Sequence, residues 1–227
     1  PYFEQIAQDL TMATNLDLRD VLFDHQEDYL FYRTDHHWAT QGAGFGAQAL
    51  IAFCGGELNF KEYIYQTLST NFEGTSASYT GSVGLYDSII AAKATELPSY
   101  QVAWGNGRRS DSVYVPEALE QKNQYAYFLG ENEGLVQILT QAKTNRHLLL
   151  IKDSYANIMV QYLLPFYDSI LVVDPRYYGD DLNALVQQNP ITHIAFVLSY
   201  QSFREAIELA PFAARLADIP LDMDSAT

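Results

Sequence analysis

From residue 147 to residue 209 the chain alternates apolar runs of strand length with stretches of helical pattern. Residues 147–151 (His147-Leu148-Leu149-Leu150-Ile151), 169–173 and 192–198 are apolar with little polar alternation, the pattern of strands covered on both faces. Residues 155–164, 180–188 and 202–209 read as helices, the first stopped by Pro165. Strand and helix in this alternation predict an α/β fold, with a parallel sheet flanked by helices. Ligands of such sheets bind beyond the C-terminal ends of the strands. The segment at such an end, after the run 147–151, is Lys152-Asp153-Ser154-Tyr155.

Ser154 is thus placed where a strand hands over to a helix, where backbone N–H groups lack intrahelical partners. A serine there can attack a carbonyl while its own N–H helps hold the oxyanion. Serine and aspartate are also ordinary helix N-caps, so the assignment needs a base from elsewhere. Thr34-Asp35-His36-His37-Trp38 offers one. In an extended segment, side chains at i and i+2 share a side, so Asp35 and His37 stand together and His36 points away. A carboxylate beside an imidazole fixes its tautomer and stabilises the imidazolium formed on proton uptake. A buried polar knot tying a loop to a helix is the alternative reading of this segment.

The rest of the chain is read more coarsely. A helix is expected over 3–13, with Phe3, Ile6, Ala7 and Leu10 on one face, and two short strands over 20–24 and 29–32 around a turn at 25–28. Thr40 is the expected N-cap of a helix that runs through Phe45, Leu50 and Phe53 and ends at Gly55-Gly56. Its small residues Gly42, Ala43, Gly44, Gly46 and Ala47 allow close approach of another backbone. Residues 57–115 are expected to form irregular strands and loops, an insertion or lid, with the polar stretch 71–78 available to line a cleft. Residues 116–122 suit one or two helical turns, and the tail from Pro211 is weakly patterned.

A length of 227 residues fits one domain over 1–227, and 48% apolar with 18% charged residues marks a globular chain. A formal net charge of −15 argues against nucleic acid and anionic membrane surfaces as partners. Cys54 stands alone, which excludes an intramolecular disulfide and a cysteine metal site. Most of the 17 tyrosines are expected in the core, although Tyr-rich clefts also suit sugars. A metal centre built from Asp35, His37 and one of His25, His147 or His193 is the weaker rival, because His36 and His37 diverge in a strand and no His-x3-His pair exists. No metal and no cofactor are expected. No span of membrane-crossing length is visible, and the start at Pro1 suggests an upstream segment outside this sequence.

Asp153-Ser154-Tyr155 after an apolar strand resembles the first block of the SGNH hydrolases. Asp35-His36-His37-Trp38 resembles the bacterial DHHW protein family, related to the SGNH-like domains of alginate O-acetylation proteins. The resemblance runs from about residue 20 to 204, with a third anchor at Asp174-Pro175-Arg176-Tyr177-Tyr178. In these relatives the acid–base segment precedes the serine, as here, a circular permutation of the usual hydrolase order. The resemblance implies a circularly permuted SGNH-like sheet with an irregular insertion around 57–130. It implies Ser154 as nucleophile, His37 as base, Asp35 as its orienting acid, Gly130 and Asn132 as the oxyanion hole, and Arg176 and Tyr177 as substrate contacts. The activity implied is a serine-dependent O-acetyl transferase or esterase on a cell-surface or secreted polysaccharide, extracytoplasmic and anchored by an N-terminal segment. Its partner would be a membrane-bound O-acyltransferase. Three departures stand out: Lys152 replaces the usual glycine, Asn157 and Asn183 rival Asn132, and residues 199–202 lack an asparagine. They leave a catalytically inactive glycan-binding or assembly module as the alternative.

Overall fold

The computed structural model describes residues 13–81 and 84–204. The expected tail from Pro211, and all but the last position of the helix over 3–13, lie outside these residues. The described elements are α1 (Arg19–Asp24), α2 (Thr40–Phe53), β1 (Tyr63–Phe72), α3 (Thr75–Thr80), β2 (Asp87–Ala94), β3 (Tyr100–Trp104), β4 (Arg109–Ser110), β5 (Leu135–Thr140), β6 (His147–Lys152), α4 (Val160–Leu163), β7 (Ser169–Val173), α5 (Leu182–Gln187), β8 (His193–Val197) and α6 (Tyr200–Arg204).

Six strands make one sheet in the order β4-β3-β5-β7-β6-β8. The parallel sheet expected from sequence is the half formed by β7, β6 and β8. β5, β3 and β4 extend it antiparallel. The two halves are covered differently. In β6, Leu148 and Leu150 join the main core while Leu149 and Ile151 join a second cluster with Tyr178, Leu182 and Leu185 from around α5. A strand buried on both faces needs an unbroken apolar run, and each such side chain contributes about 1.5–3 kcal/mol. β5 buries only Val136 and Ile138 and leaves Gln137 and Leu139 exposed, the alternation of a strand covered on one face.

Several sequence expectations change. Residues 19–24 form a helix, not a strand: the Asp17 carboxylate accepts the Arg19 N–H at 3.0 Å and grips its guanidinium, which starts a helical turn. The second expected strand shrinks to a single bridge between Phe31 and Trp38. Thr40 is the first residue of α2 and not its cap; Ala39 holds the cap position and the Thr40 hydroxyl donates to the Ile90 carbonyl. The helix ends as expected, with Gly55 at φ 73°, where a side chain is strained. Residues 57–115 are more regular than expected. β1 and β2 pair as a long antiparallel ribbon around α3, while β3 and β4 belong to the main sheet.

The small-residue stripe of α2 does allow close packing. A Cβ on Gly42 would run into the Leu30 carbonyl, and one on Gly46 would lie 2.7 Å from the Trp38 ring. The ribbon is tied to the body by buried polar bonds: Ala92 N–H donates to Gln161 Oε1 at 2.8 Å and Tyr63 Oη to the Tyr162 carbonyl at 3.2 Å. Its far end, at Asp87, reaches the Thr34–Trp38 segment.

Candidate active site

The strand order puts β6 between β7 and β8, with α4 and α5 serving opposite faces of the sheet. The chain leaves β6 in one direction and returns on its other side, so a crevice opens beyond the C-terminal end of β6. Ser154 begins a short 3-10 turn there, capped by Asp153. One Asp153 oxygen accepts the Tyr155 N–H at 2.9 Å and the other the Ser199 N–H at 2.7 Å, which pins the turn to the end of β8. The long helix expected over 155–164 is broken into this turn and α4. An oxyanion at Ser154 therefore depends on individual donors and not on the dipole of a long helix. The Ser154 N–H meets no acceptor among the described residues.

The segment Thr34–Trp38 is a bend, not a strand. Its neck is closed by Tyr32 N–H to the His37 carbonyl (3.2 Å) and Ala39 N–H to the Leu30 carbonyl (2.8 Å). Asp87 holds it from the ribbon, accepting the Thr34 N–H at 2.7 Å and its hydroxyl at 2.6 Å, with the Tyr29 hydroxyl also donating. Gly74 lies so close that a Cβ there would collide with Asp35. The Trp38 indole N–H donates to the Tyr155 carbonyl at 2.7 Å and the Tyr155 hydroxyl to the His36 carbonyl, so the bend and the serine turn hold each other directly.

These ties bring the three sequence candidates together. His37 Nε2 lies 2.8 Å from Ser154 Oγ, across 117 positions of chain, and His37 Nδ1 lies 3.3 Å from both Asp35 oxygens. Asp35 and His37 are buried. Burial alone would raise the Asp35 carboxyl, but hydrogen bonds from His36 and His37 hold it well below the usual carboxylate range. Burial lowers His37 below an ordinary imidazole, and Asp35 offsets only part of that. The pair is therefore a carboxylate and a neutral imidazole near neutral pH. That is the ionisation in which Nε2 can take the serine proton while the carboxylate stabilises the resulting charge.

His36 does not point away as expected. Because the segment bends, its Nδ1 lies 3.0 Å from Asp35 Oδ1 and 2.7 Å from Thr75 Oγ1, and its ring centroid is 3.9 Å from that of His37. Asp35, His36 and His37 thus place ligand-type atoms within 4.8 Å of one another and form the group that could hold a metal. Each of those atoms already has a partner within the protein. The distant histidines of the rival reading are elsewhere, His25 on Asp28, His147 on Ser169 and His193 on Thr192.

A cleft of about 520 Å³ opens over Ser154 and is lined by Gly130, Asn132 and Asn157 as well as the acid–base pair. Gly130 lines the cleft, but its N–H is already donated to the Ala126 carbonyl at 3.0 Å, which removes it as a ready oxyanion donor. Asn132 Oδ1 accepts from Lys152 Nζ at 3.4 Å. Lys152 is buried, and the same ammonium lies 3.4 Å from the fully buried Asp174. Burial lowers its pKa and Asp174 counters that. The departure at Lys152 is thus absorbed as a buried ion pair, with Lys152 as the last residue of β6. Arg176 grips the same Asp174, at 2.9 and 2.7 Å, and neither Arg176 nor Tyr177 lines the cleft. Arg176 thus serves a buried carboxylate, which needs such partners. Asn183 lies at the start of α5, also outside the cleft.

Sequence reasoning missed Tyr125. Its ring stacks on His37 at 3.8 Å and 8°, and its hydroxyl donates to the Ser154 carbonyl at 2.8 Å. One of 17 tyrosines carries no distinguishing signal in sequence. Thr75, whose hydroxyl donates to Asp35 at 3.0 Å, falls in the polar stretch expected to line a cleft.

A family model described as DHHW protein matches residues 12–173. The chain belongs to the DHHW family. A DHHW family protein from Eubacterium siraeum superimposes with a TM-score of 0.77 at 25% identity, over 88% of this chain and 68% of that one. PatB1 from Bacillus cereus, solved with a sulfonyl adduct, superimposes with a TM-score of 0.68 at 19% identity, over 83% of this chain and 68% of that one. Among curated proteins none matches the sequence. The α/β arrangement, a multi-stranded sheet between helices, is thus one this chain shares with both structures. No helix among the described residues is long and apolar enough to cross a membrane.

Proposed function

We propose that this DHHW protein is a serine-dependent O-acyl transferase or esterase, acting on acetyl esters of a cell-surface or secreted polysaccharide. The observation that carries the reading is the 2.8 Å contact between His37 Nε2 and Ser154 Oγ, with Asp35 behind the imidazole. In the proposed reaction His37 takes the serine proton as Ser154 Oγ attacks the ester carbonyl. The tetrahedral oxyanion is held by the Ser154 N–H and by a side-chain amide from Asn132 or Asn157. Collapse expels the sugar alkoxide, which takes its proton from His37, and leaves an acetyl-serine. A second hydroxyl, from a sugar or from water, is then deprotonated by His37 and attacks the acetyl group, which regenerates Ser154. Transfer and hydrolysis differ only in which hydroxyl occupies that second position.

PatB1 lends support at the level of the fold, and its sulfonyl adduct is a group that activated hydroxyls accept. An extracytoplasmic site of action and a membrane-bound acyltransferase as donor partner belong to the same proposal. Incubation with p-nitrophenyl acetate tests the reading. The wild type should release p-nitrophenol, and Ser154→Ala should lower kcat/KM by on the order of 10³-fold or more. Equal rates in the two proteins would refute it, as would labelling by a serine-reactive phosphonate that maps to another residue.

A further inference from the structure

The polar groups of the cleft are unevenly divided between acceptors and donors. Among the described residues three carboxylates line it, Asp35, Glu73 and Glu131, against one ammonium, Lys122. Asp35 is spent on the two imidazoles. Glu131 keeps one oxygen beyond the bond it takes from Asn123 (3.0 Å), and Glu73 has no partner among the described residues. Deeper in, Asn157 is 5% exposed, lines the same cleft, and its Oδ1 has no partner among the described residues. A buried acceptor of that kind is destabilising unless something donates to it. Tyr79, on α3 at the rim, is 90% exposed and offers a free aromatic face to a sugar ring.

We propose that this cleft takes a glycan without acidic sugars, one that presents hydroxyl or amine donors to Glu73, Glu131 and Asn157. The proposal names the substrate class of the site and rests on the esterase reading only for the identity of the bond acted on. A uronate carboxylate entering the cleft would bring a fourth negative charge beside three, while Lys122 alone opposes it. A neutral hexose satisfies the acceptors with hydroxyls, and an amino sugar does so with an ammonium as well. Shared donor chemistry unites the last two, and the experiment separates them.

The test is calorimetric titration of the wild type, at low and at moderate salt, with three unacetylated probes: chitosan oligomers, cello-oligomers and polymannuronate oligomers. Expected is binding of the chitosan or cello-oligomers at least about tenfold tighter than that of the polymannuronate, with the gap shrinking as salt screens the charges. Tighter chitosan than cello-oligomer binding assigns an ion pair to the glutamates; equal binding assigns hydroxyl contacts. In Glu73→Gln/Glu131→Gln the gap should close to about threefold or less, because the local charges set it. Polymannuronate binding as tight as the others, or no binding of any probe, overturns the proposal. So does an unchanged gap in the double variant, which would assign the selectivity to the overall charge of −15. Phosphonate labelling of Ser154 tests the serine chemistry separately, so a glycan result and a nucleophile result can fail independently.

Discussion

At the scale of single residues, the site depends on how one carboxylate serves two imidazoles. Burial makes His37 a weaker base than an exposed histidine, and His36 adds to that lowering through its proximity. The protonated form of His37 cannot accept the serine proton. The rate of ester cleavage, kcat/KM, should therefore rise with pH along a limb centred below the ordinary imidazole value of 6.5, which a pH–rate profile measures directly. His36→Asn removes that lowering influence and should move the limb upward, by an amount the same profile reads. Asp35→Asn keeps the shape but loses the charge behind His37, and the rate should fall by on the order of 10²–10⁴-fold with little change in KM. That Asp35, His37 and Ser154 come together was legible in the sequence because each local pattern, ordinary by itself, supplies what the other lacks. The bonds that Gly130 and Arg176 make were not legible, for a common reason. Sequence shows that a glycine has an N–H and an arginine a charge, but not that Ala126 and Asp174 already occupy them.

At the scale of elements, the ribbon β1–β2 acts as a brace for the bend that carries Asp35 and His37. Asp87, at the start of β2, takes three donors from Thr34 and Tyr29, and Gly74 gives the room that Asp35 needs. Asp87→Ala strips a buried hydroxyl and a backbone N–H of their acceptor and should cost about 2–4 kcal/mol in urea unfolding. Gly42→Ala forces α2 away from the Leu30 carbonyl and should cost about 1–3 kcal/mol by the same measurement, although alanine is the better helix former. The parallel strands β6, β7 and β8 were visible because burial on both faces writes an uninterrupted apolar run. The ribbon and β5 were not. Their inward residues alternate with Tyr, Thr, Gln and Ser, and local pattern cannot separate such a stretch from loop when its partner lies 15 to 38 positions away. The strand expected at 20–24 failed in the opposite sense, where a run of Val-Leu-Phe was overruled by the Asp17 turn that precedes it.

At the scale of the whole molecule, two carboxylates with lowered pKa values, Asp35 and Asp87, tie the bend to its surroundings. Both are ionised more readily folded than unfolded. Their contribution to stability is thus fully present above the unfolded value of about 3.8 and is lost as pH falls through the folded values. Thermal unfolding followed from pH 7 to pH 3 should show the midpoint falling steeply only below about pH 4.5, and Asp87→Asn should flatten that fall. The order of the parts along the chain has a further consequence. A ribosome delivers the imidazole well over a hundred residues before the hydroxyl it pairs with, and the two meet only once β6 has emerged and found its neighbours. A nascent or unfolded chain holds an imidazole and a hydroxyl that do not meet. The contact between His37 and Ser154 is therefore a property of the folded molecule alone, and any chemistry it supports begins with the fold.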